Sequence, residues 1–256
     1  MALIVAYGAG TNSTAMLIEM RKRNIIPDLI LFSDTGGERP ETYDYLNKFN
    51  CWLVIHGMPK ITTVKNVDKY GEIKTLERDC HRRKRLPSLA YGFKTCSLQY
   101  KKAPQEKFCN HFPPAVNAWG KGEKVIKAIG FDAGEERRAK GYEDEKYKDW
   151  YPLIEWNIDR GGCEQIIKDA GLPQPGKSSC FFCPSMKKRE IFELREQYPD
   201  LLKRALAIES NAELTVIPGL GRSFAWNDLI QDDANQMKMF VDVVDQACGC
   251  YDGSDY

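Results

Sequence analysis

The sequence predicts an α/β fold: a Rossmann-like, doubly wound, mostly parallel sheet followed by a helical C-terminal part. Three observations predict it. Short apolar runs, Leu3-Ile4-Val5-Ala6 and Asp28-Leu29-Ile30-Leu31-Phe32, alternate with segments of helix length. A glycine-containing loop, Gly8-Ala9-Gly10, leads out of the first run. The second run ends in an acidic turn, Asp34-Thr35-Gly36-Gly37-Glu38. A β-α-β-α-β order of this kind implies parallel strands with helices on both faces.

The elements follow in order. Residues 3–6 read as a buried strand and 13–23 as a helix. Pro27 restricts the residue before it and so helps stop that helix. Residues 28–32 are a second strand. Residues 40–49 form a helix with proline in its first turn. The apolar run at 51–55 reads as a third strand. The stretch 60–102 is polar and basic, with Arg82-Arg83-Lys84-Arg85 and Lys101-Lys102. It reads either as a solvated charged face or as a lid over an anionic substrate. Residues 125–130 are a further strand, 159–170 a helix, and 187–197, 199–210 and 234–246 are helices. The division expected is a nucleotide-binding domain with a cysteine segment at 1–186, and a helical extension packed on it at 187–256.

Composition narrows the classes. The 256 residues are 43% hydrophobic, enough for a sizeable core. The 37 basic and 36 acidic residues leave a net charge of +1, which excludes a global electrostatic pull toward nucleic acid or membrane. No apolar run approaches the ~18 residues of a membrane span. The N-terminus lacks a basic leader, so a cytoplasmic protein is expected. Nine cysteines, an odd number, then read as thiols or metal ligands rather than a disulfide framework.

The glycine loop places backbone N–H groups and a helix N-terminus around a phosphate. Its candidate residues are Tyr7, Gly8, Ala9, Gly10, Asn12, Ser13 and Thr14. It is not a Walker loop, because no Gly-Lys-Ser/Thr follows, and Ser13 takes the third position of a Gly-x-Gly-x-x-Gly. Taken alone, such a loop is as readily a structural turn. Asp34, Thr35 and Gly36 lie at a strand's carboxyl end, where open α/β sheets bind ligands. Asp34 there accepts from ribose or adenine, holds magnesium, or caps a helix.

At this point the chain resembles a known group. Asp34-Thr35-Gly36 followed by Pro40-Glu41-Thr42-Tyr43 is similar to the Asp-Thr-Gly…Pro-Glu-Thr block of phosphoadenosine-phosphosulfate (PAPS) reductases. Those proteins belong to the adenine nucleotide alpha-hydrolase, or PP-loop ATP pyrophosphatase, superfamily. Residues 7–13 occupy the place of its phosphate loop, with Asn12 where ATP-splitting members often carry aspartate. Further blocks follow in order: Cys96 with Lys101-Lys102 and Pro104, then Tyr151-Pro152-Leu153-Ile154-Glu155-Trp156, then Leu172-Pro173, then Cys180-Phe181-Phe182-Cys183. The resemblance ends near Lys188.

It implies an enzyme binding ATP or PAPS with Mg²⁺. A substrate oxygen attacks the α-phosphate to give an adenylate and pyrophosphate, and sulfur or another nucleophile then displaces AMP. The acceptor is open, with nucleic acid among the candidates, and a sulfur-donor or thioredoxin-type protein is an implied partner. Lys101 and Arg137, with neighbours Lys102 and Arg138, are expected to neutralise phosphate oxygens. Glu135 and Glu136 are candidates for magnesium.

Cys180 and Cys183 have ligand spacing for Zn²⁺ or an iron–sulfur cluster. Cys96 and Cys163 are the expected partners, with Cys80 the alternative; buried free thiols are the plain reading. Adenylylsulfate reductases bind a [4Fe-4S] cluster through a Cys-Cys pair and a downstream Cys-x-x-Cys. Here Thr95 and Ser97 flank a single Cys96, which leaves the fourth ligand open. Cys248-Gly249 matches two positions of the reductases' mobile tail. A reductase using Cys248 as nucleophile is therefore the alternative enzyme, and a non-catalytic module binding nucleic acid through residues 82–85 the alternative class.

Overall fold

A computed structural model of the chain describes residues 1–233. Five parallel strands form one sheet in the order β3-β2-β1-β4-β5. They are β1 (Leu3–Tyr7), β2 (Leu29–Asp34), β3 (Ile61–Lys65), β4 (Val125–Ile129) and β5 (Tyr147–Trp150). The helices, in chain order, are α1 (Thr11–Lys22), α2 (Pro40–Ile55), α3 (Leu76–Arg83), α4 (Thr95–Ser97), α5 (Ala103–Cys109), α6 (Pro113–Gly120), α7 (Pro152–Glu155), α8 (Arg160–Asp169), α9 (Lys188–Gln197) and α10 (Pro199–Asn211).

Alternation along the strands fixes both faces. Val5, Tyr7, Ile30 and Phe32 pack in one core with Met16 and Leu17 of α1, Phe49 of α2 and Ile167 of α8. Their neighbours Ile4, Leu29 and Leu31 pack in another with Cys109 of α5 and Ala115 and Ala118 of α6. Successive side chains of a strand point to opposite faces, so helices cover both sides. Strand order runs outward from β1 through β2 to β3, and outward the other way through β4 to β5. The crevice therefore opens beyond the carboxyl ends of β1 and β4.

The expected third strand at 51–55 is instead the end of α2. Tyr45, Phe49 and Leu53 are buried at four-residue spacing, while Ile55 is 79% exposed. That is the helical period, and the helix simply continues through an apolar run that a strand also suits. The strand is Ile61–Lys65, a β-branched run at the edge of the sheet.

The polar stretch at 60–102 is not a solvated flap. It supplies β3 and α3, and Leu76, Cys80, Leu86, Ala90 and Tyr100 are buried in a third core. That core also holds Phe181, Phe182, Ile191 and Leu194 of α9, Leu202 and Ile208 of α10, and Trp226. It draws on residues either side of position 186. The helix expected at 234–246 and Cys248 lie outside the described residues.

A buried carboxylate fastens this layer. Glu209, 4% exposed, accepts from the backbone amides of Leu220 (2.6 Å), Trp226 (2.9 Å) and Asn227 (2.7 Å). A charged acceptor serving several buried amides is among the stronger hydrogen-bonding arrangements. Glu209→Ala is expected to lower unfolding stability by about 3 kcal/mol or more, read from the urea midpoint, because it strands these donors.

Candidate nucleotide and thiol site

The glycine loop joins β1 to α1. Gly10 is the N-cap residue of α1, and no side chain caps the helix. Gly8 N donates to Ser13 Oγ at 3.2 Å, and Ser13 Oγ donates on to Gly10 O at 3.2 Å. Thr11, Asn12 and Ser13 then border a cavity of about 640 Å³ that Arg138, Arg160 and Lys177 also line. Uncapped first-turn amides lie beside three cations there, each paired with a carboxylate: Arg138 with Glu135, Arg160 with Glu164 and Lys177 with Glu190. Gly130 explains how close the loop sits to β4: a Cβ there would lie 2.8 Å from Ser13 Cα, so only glycine fits.

Two expected loop residues are scaffold. Tyr7 and Thr14 are buried and share a hydrogen bond of 3.0 Å between their hydroxyls, and burial pushes the Tyr7 phenol upward. Ala9, also buried, takes a left-handed backbone with φ of 55°.

Asn12 has a specific reason to be an amide. Its Nδ2 donates to Asp132 (2.8 Å) and Glu135 (3.0 Å), and its Oδ1 accepts from Arg160 at 3.0 Å. Arg160 also donates to Thr11 Oγ1 at 2.9 Å, binding the start of α8 to the loop. Asn12→Asp would set a third carboxylate against two. It is expected to cost about 1–3 kcal/mol at neutral pH, and less near pH 4, in a thermal or urea melt.

Arg138, not Arg137, lines the cavity. Arg137 is exposed on the turn Ala133–Arg138, while Arg138 pairs with Glu135 and lies 4.3 Å over the Phe131 ring. Glu135 lines the cavity too, and Asp132 N-caps the turn by accepting from Gly134.

The acidic turn after β2 is built differently from a ligand-facing carboxylate. Asp34, 6% exposed, accepts from Gly36 N (2.8 Å) and from Tyr43 Oη (2.8 Å), and pairs with Lys65 at 3.3 Å. It shapes the turn. Gly36 has φ of 75°, and a Cβ there would lie 2.4 Å from the Thr75 side chain. Thr35, in contrast, faces a second cavity of about 280 Å³.

Thiols line that second cavity: Cys96, Cys180 and Cys183, with Lys101, Lys177 and Ser178. Cys180 Sγ lies 3.1 Å from Thr35 Oγ1, and Cys183 Sγ lies 3.1 Å from Ser185 Oγ. Burial holds the Cys180 thiol well above its ordinary range, with the Glu38 carboxylate adding to it. Cys163 stands elsewhere, fully buried between α1, α8 and the sheet, where burial pushes it up to about 12. Its expected place beside the other three is thus corrected: α8 packs on α1, and its apolar face carries Cys163 inward. Cys80 belongs instead to the same core as Cys96, Cys180 and Cys183.

The two cavities meet. Lys177 and Ser178 line both, and the Ser178 hydroxyl donates to Gly8 O. Phe181 N donates to Gly37 O at 2.8 Å, and Glu38 bridges Cys180 in antiparallel fashion. A third cavity, of about 360 Å³, shares Gly8 with the first and Ser97 and Lys101 with the second. Lys101 sits in a π-helical turn, Leu98–Lys102, of the kind that re-aims side chains at functional sites. Its carbonyl accepts from Ser33 Oγ at 2.8 Å, and its ammonium lies 3.6 Å from Glu38.

Glu38 belongs to the acidic turn, yet residue type and spacing assign it no role. Its side chain is inaccessible, and both carboxylate oxygens lack a hydrogen-bond partner among the described residues. Burial raises its pKa, opposed chiefly by Lys101. The native state then holds the proton above the pH where the unfolded chain releases it. The contribution of Glu38 to stability therefore falls as pH rises upward from the ordinary glutamate value of ~4.3. In urea midpoints measured across that window, Glu38→Gln is expected to remove this downward slope. Sequence reasoning also missed Arg160, Lys177 and Ser178; the Asp159-Arg160-Gly161-Gly162 helix start and the Lys-Ser-Ser preceding Cys180 were the available signals.

The donor set can be tested against the metal groups the sequence suggests. Among the described residues, no three histidine, cysteine, aspartate or glutamate side chains converge closely enough for one metal ion. Zinc at ~2.3 Å from each sulfur would need thiolates within about 4 Å of one another. A four-iron cluster takes one thiolate per iron and spaces them more widely. Cys96, Cys180 and Cys183 are soft donors around one cavity, beside the Lys101 ammonium.

No protein-family profile matches the chain. No curated protein matches it. Among solved structures it is similar to the U34-tRNA thiolase NcsA from Methanococcus maripaludis with its [4Fe-4S] cluster, at 14% identity and a TM-score of 0.42, over 88% of this chain and 77% of that one. A likeness of that degree identifies neither a family nor an activity. No helix is long and apolar enough to cross a membrane among the described residues.

Proposed function

We propose that this protein is an adenine-nucleotide-dependent enzyme of the PP-loop ATP pyrophosphatase type, adenylating an acceptor that a sulfur or other nucleophile then attacks. One observation carries the reading. The Ser178 hydroxyl ties the thiol segment to Gly8 of the phosphate loop, so the nucleotide cavity and the thiol cavity share a wall. A structural turn and a set of incidental buried thiols have no reason to meet there.

In this reading the phosphates of ATP lie against the first amides of α1, with Arg138, Arg160 and Lys177 around them. An acceptor oxygen forms a bond to the α-phosphorus, the bond to the bridging oxygen breaks, and pyrophosphate leaves carrying the charge. Preorganised cations lower the barrier by meeting charge as it develops. Lys101 opens on both the thiol cavity and the third cavity, which suits it to the α-phosphate or the departing AMP. Glu38 beside it holds a proton or an ion pair, according to what occupies the cavity. Cys96, Cys180 and Cys183 would hold a cysteine-ligated metal group, a [4Fe-4S] cluster before Zn²⁺. When bound, that group would supply Lewis-acid chemistry or a structural tether beside the nucleotide.

The basic segment at 82–85 favours no separate binding module. Arg82 and Arg83 pair with Asp79 at 2.6 and 3.0 Å, and Lys84 pairs with Glu213 at 2.9 Å. Supplied with a competent acceptor, the protein is expected to turn ATP into AMP and pyrophosphate, followed by pyrophosphate release assays. Arg160→Ala should weaken nucleotide binding roughly tenfold in calorimetry, the size of a charge-assisted contact worth ~1.4 kcal/mol. Sulfite release from PAPS that disappears in Cys248→Ser would replace this reading with the reductase.

A further inference from the structure

The adenylation reading leaves the acceptor open. We propose that the third cavity holds it, and that it is a small carboxylic acid whose carboxylate pairs with Lys127; this rests on the adenylation reading of the preceding section.

Placement carries it. The third cavity opens at the carboxyl ends of β1, β2 and β4, and its wall residues Ala6, Gly8 and Ile129 also border the phosphate cavity. Lys127, on the interior strand β4, is half-buried and lines it. Two other lysines of the wall stand beside carboxylates: Lys101 lies 3.6 Å from Glu38 and Lys102 lies 3.5 Å from Glu106. Lys127 forms no ion pair and no hydrogen bond among the described residues. Asp149, its register partner on β5, lines the same cavity, but that carboxylate accepts from Tyr151 Oη at 3.1 Å instead. Burial holds the pKa of Lys127 below its ordinary range, with Asp149 opposing. A charge placed there without a partner is costly until a ligand meets it. Gln105 of α5, 8% exposed, also lines the cavity, and its side-chain amide has no hydrogen-bond partner among the described residues. The Tyr147 hydroxyl, next to the Cys109 thiol, is likewise without one. Phe32, Leu98 and Ile129 supply apolar wall.

These groups select the ligand. At about 360 Å³ the cavity is near the lower end of small-molecule sites. One uncompensated ammonium calls for one negative charge, and a neutral nucleobase would leave it unpaired. A carboxylate brings that charge, accepts from the Gln105 amide, and leaves an apolar body for Phe32, Leu98 and Ile129. It is also an oxygen nucleophile with no proton to remove. One carboxylate oxygen bonds to the α-phosphorus across Gly8, the bond from that phosphorus to the bridging oxygen breaks, and pyrophosphate leaves with the electron pair. The product is an acyl adenylate. The sulfur or other nucleophile of the second step then attacks the acyl carbon, and AMP leaves.

The test uses the full chain. Pyridoxal 5′-phosphate, an anionic aldehyde, is reacted with the protein and fixed with borohydride, and the modified lysines are identified by peptide mass spectrometry. Acetate and benzoate are expected to slow the labelling of Lys127 about tenfold, the size of one charge-assisted contact, whereas ATP with Mg²⁺ slows the labelling of Lys177. This readout needs no variant to fold. ATP–pyrophosphate exchange, assayed with a mixture of aliphatic, aromatic and amino-substituted carboxylic acids, is expected to depend on the acids and to yield hydroxamates when hydroxylamine is added. Lys127→Gln is expected to raise the KM for the active acid about tenfold, with the KM for ATP and the circular dichroism unchanged. Lys127 left unlabelled, protected by ATP or unprotected by both acids overturns this proposal alone, as does ATP protection of Lys177 without acid-dependent exchange. ATP that leaves Lys177 unprotected, with no exchange in the presence of any acid, overturns the adenylation reading and this proposal with it.

Discussion

The site depends on one strip of pairing between the turn after β2 and the Cys180–Cys183 loop. Phe181 N bonds to Gly37 O, Glu38 bridges Cys180, and Thr35 Oγ1 meets Cys180 Sγ. A Cβ on Gly37 would lie 2.6 Å from the Phe182 ring, so the approach requires glycine. Each bond contributes only about 1 kcal/mol. Together they choose where a loop far downstream in the chain lies, and Ser178 extends the contact to Gly8. If this strip parted, the thiols would separate from the phosphate loop while the sheet stayed intact.

A second constraint is the charge enclosed by that strip. Glu38 and Lys101 face each other at 3.6 Å with almost no competing hydrogen bonds on the carboxylate. Glu38 is inaccessible while the Lys101 side chain is 38% exposed, so the carboxylate bears the larger desolvation cost. The pair lies beside Cys180, and Lys101 lines two of the cavities. Asp34, four residues earlier, is the opposite case. Its Oδ1 accepts from Gly36 and Tyr43, which holds the turn, and its Oδ2 lies 3.3 Å from Lys65.

The parallel sheet was legible because local signals agreed. Buried strands, a proline-led helix and a glycine loop each fall where they are read, within a few residues. The third strand failed because Cys51-Trp52-Leu53-Val54-Ile55 satisfies both strand and helix templates, and only the packing of Leu53 against the sheet side decides between them. The polar stretch at 60–102 reads as a solvated face or a lid because its buried residues, Leu76, Cys80, Leu86, Ala90 and Tyr100, are scattered singly among charged ones. In α3 only Leu76 and Cys80, one helical turn apart, face that core from an otherwise charged helix. Its core appears only when α9 and α10 close over it.

By itself the sequence determined that a phosphate loop follows the first strand, that an acidic turn follows the second, and that Cys180 and Cys183 stand at ligand spacing. These are local facts, set by residue type and short-range spacing. Tertiary structure decided which distant groups join them: Arg138 rather than Arg137, Arg160 from the start of α8, Glu38 as the buried carboxylate beside Lys101, and the core that takes Cys80 while excluding Cys163. The reason is geometric. Successive side chains of a helical turn point in different directions, so which of two neighbouring arginines faces a cavity, and which core a buried cysteine enters, is settled by the surface its element packs against.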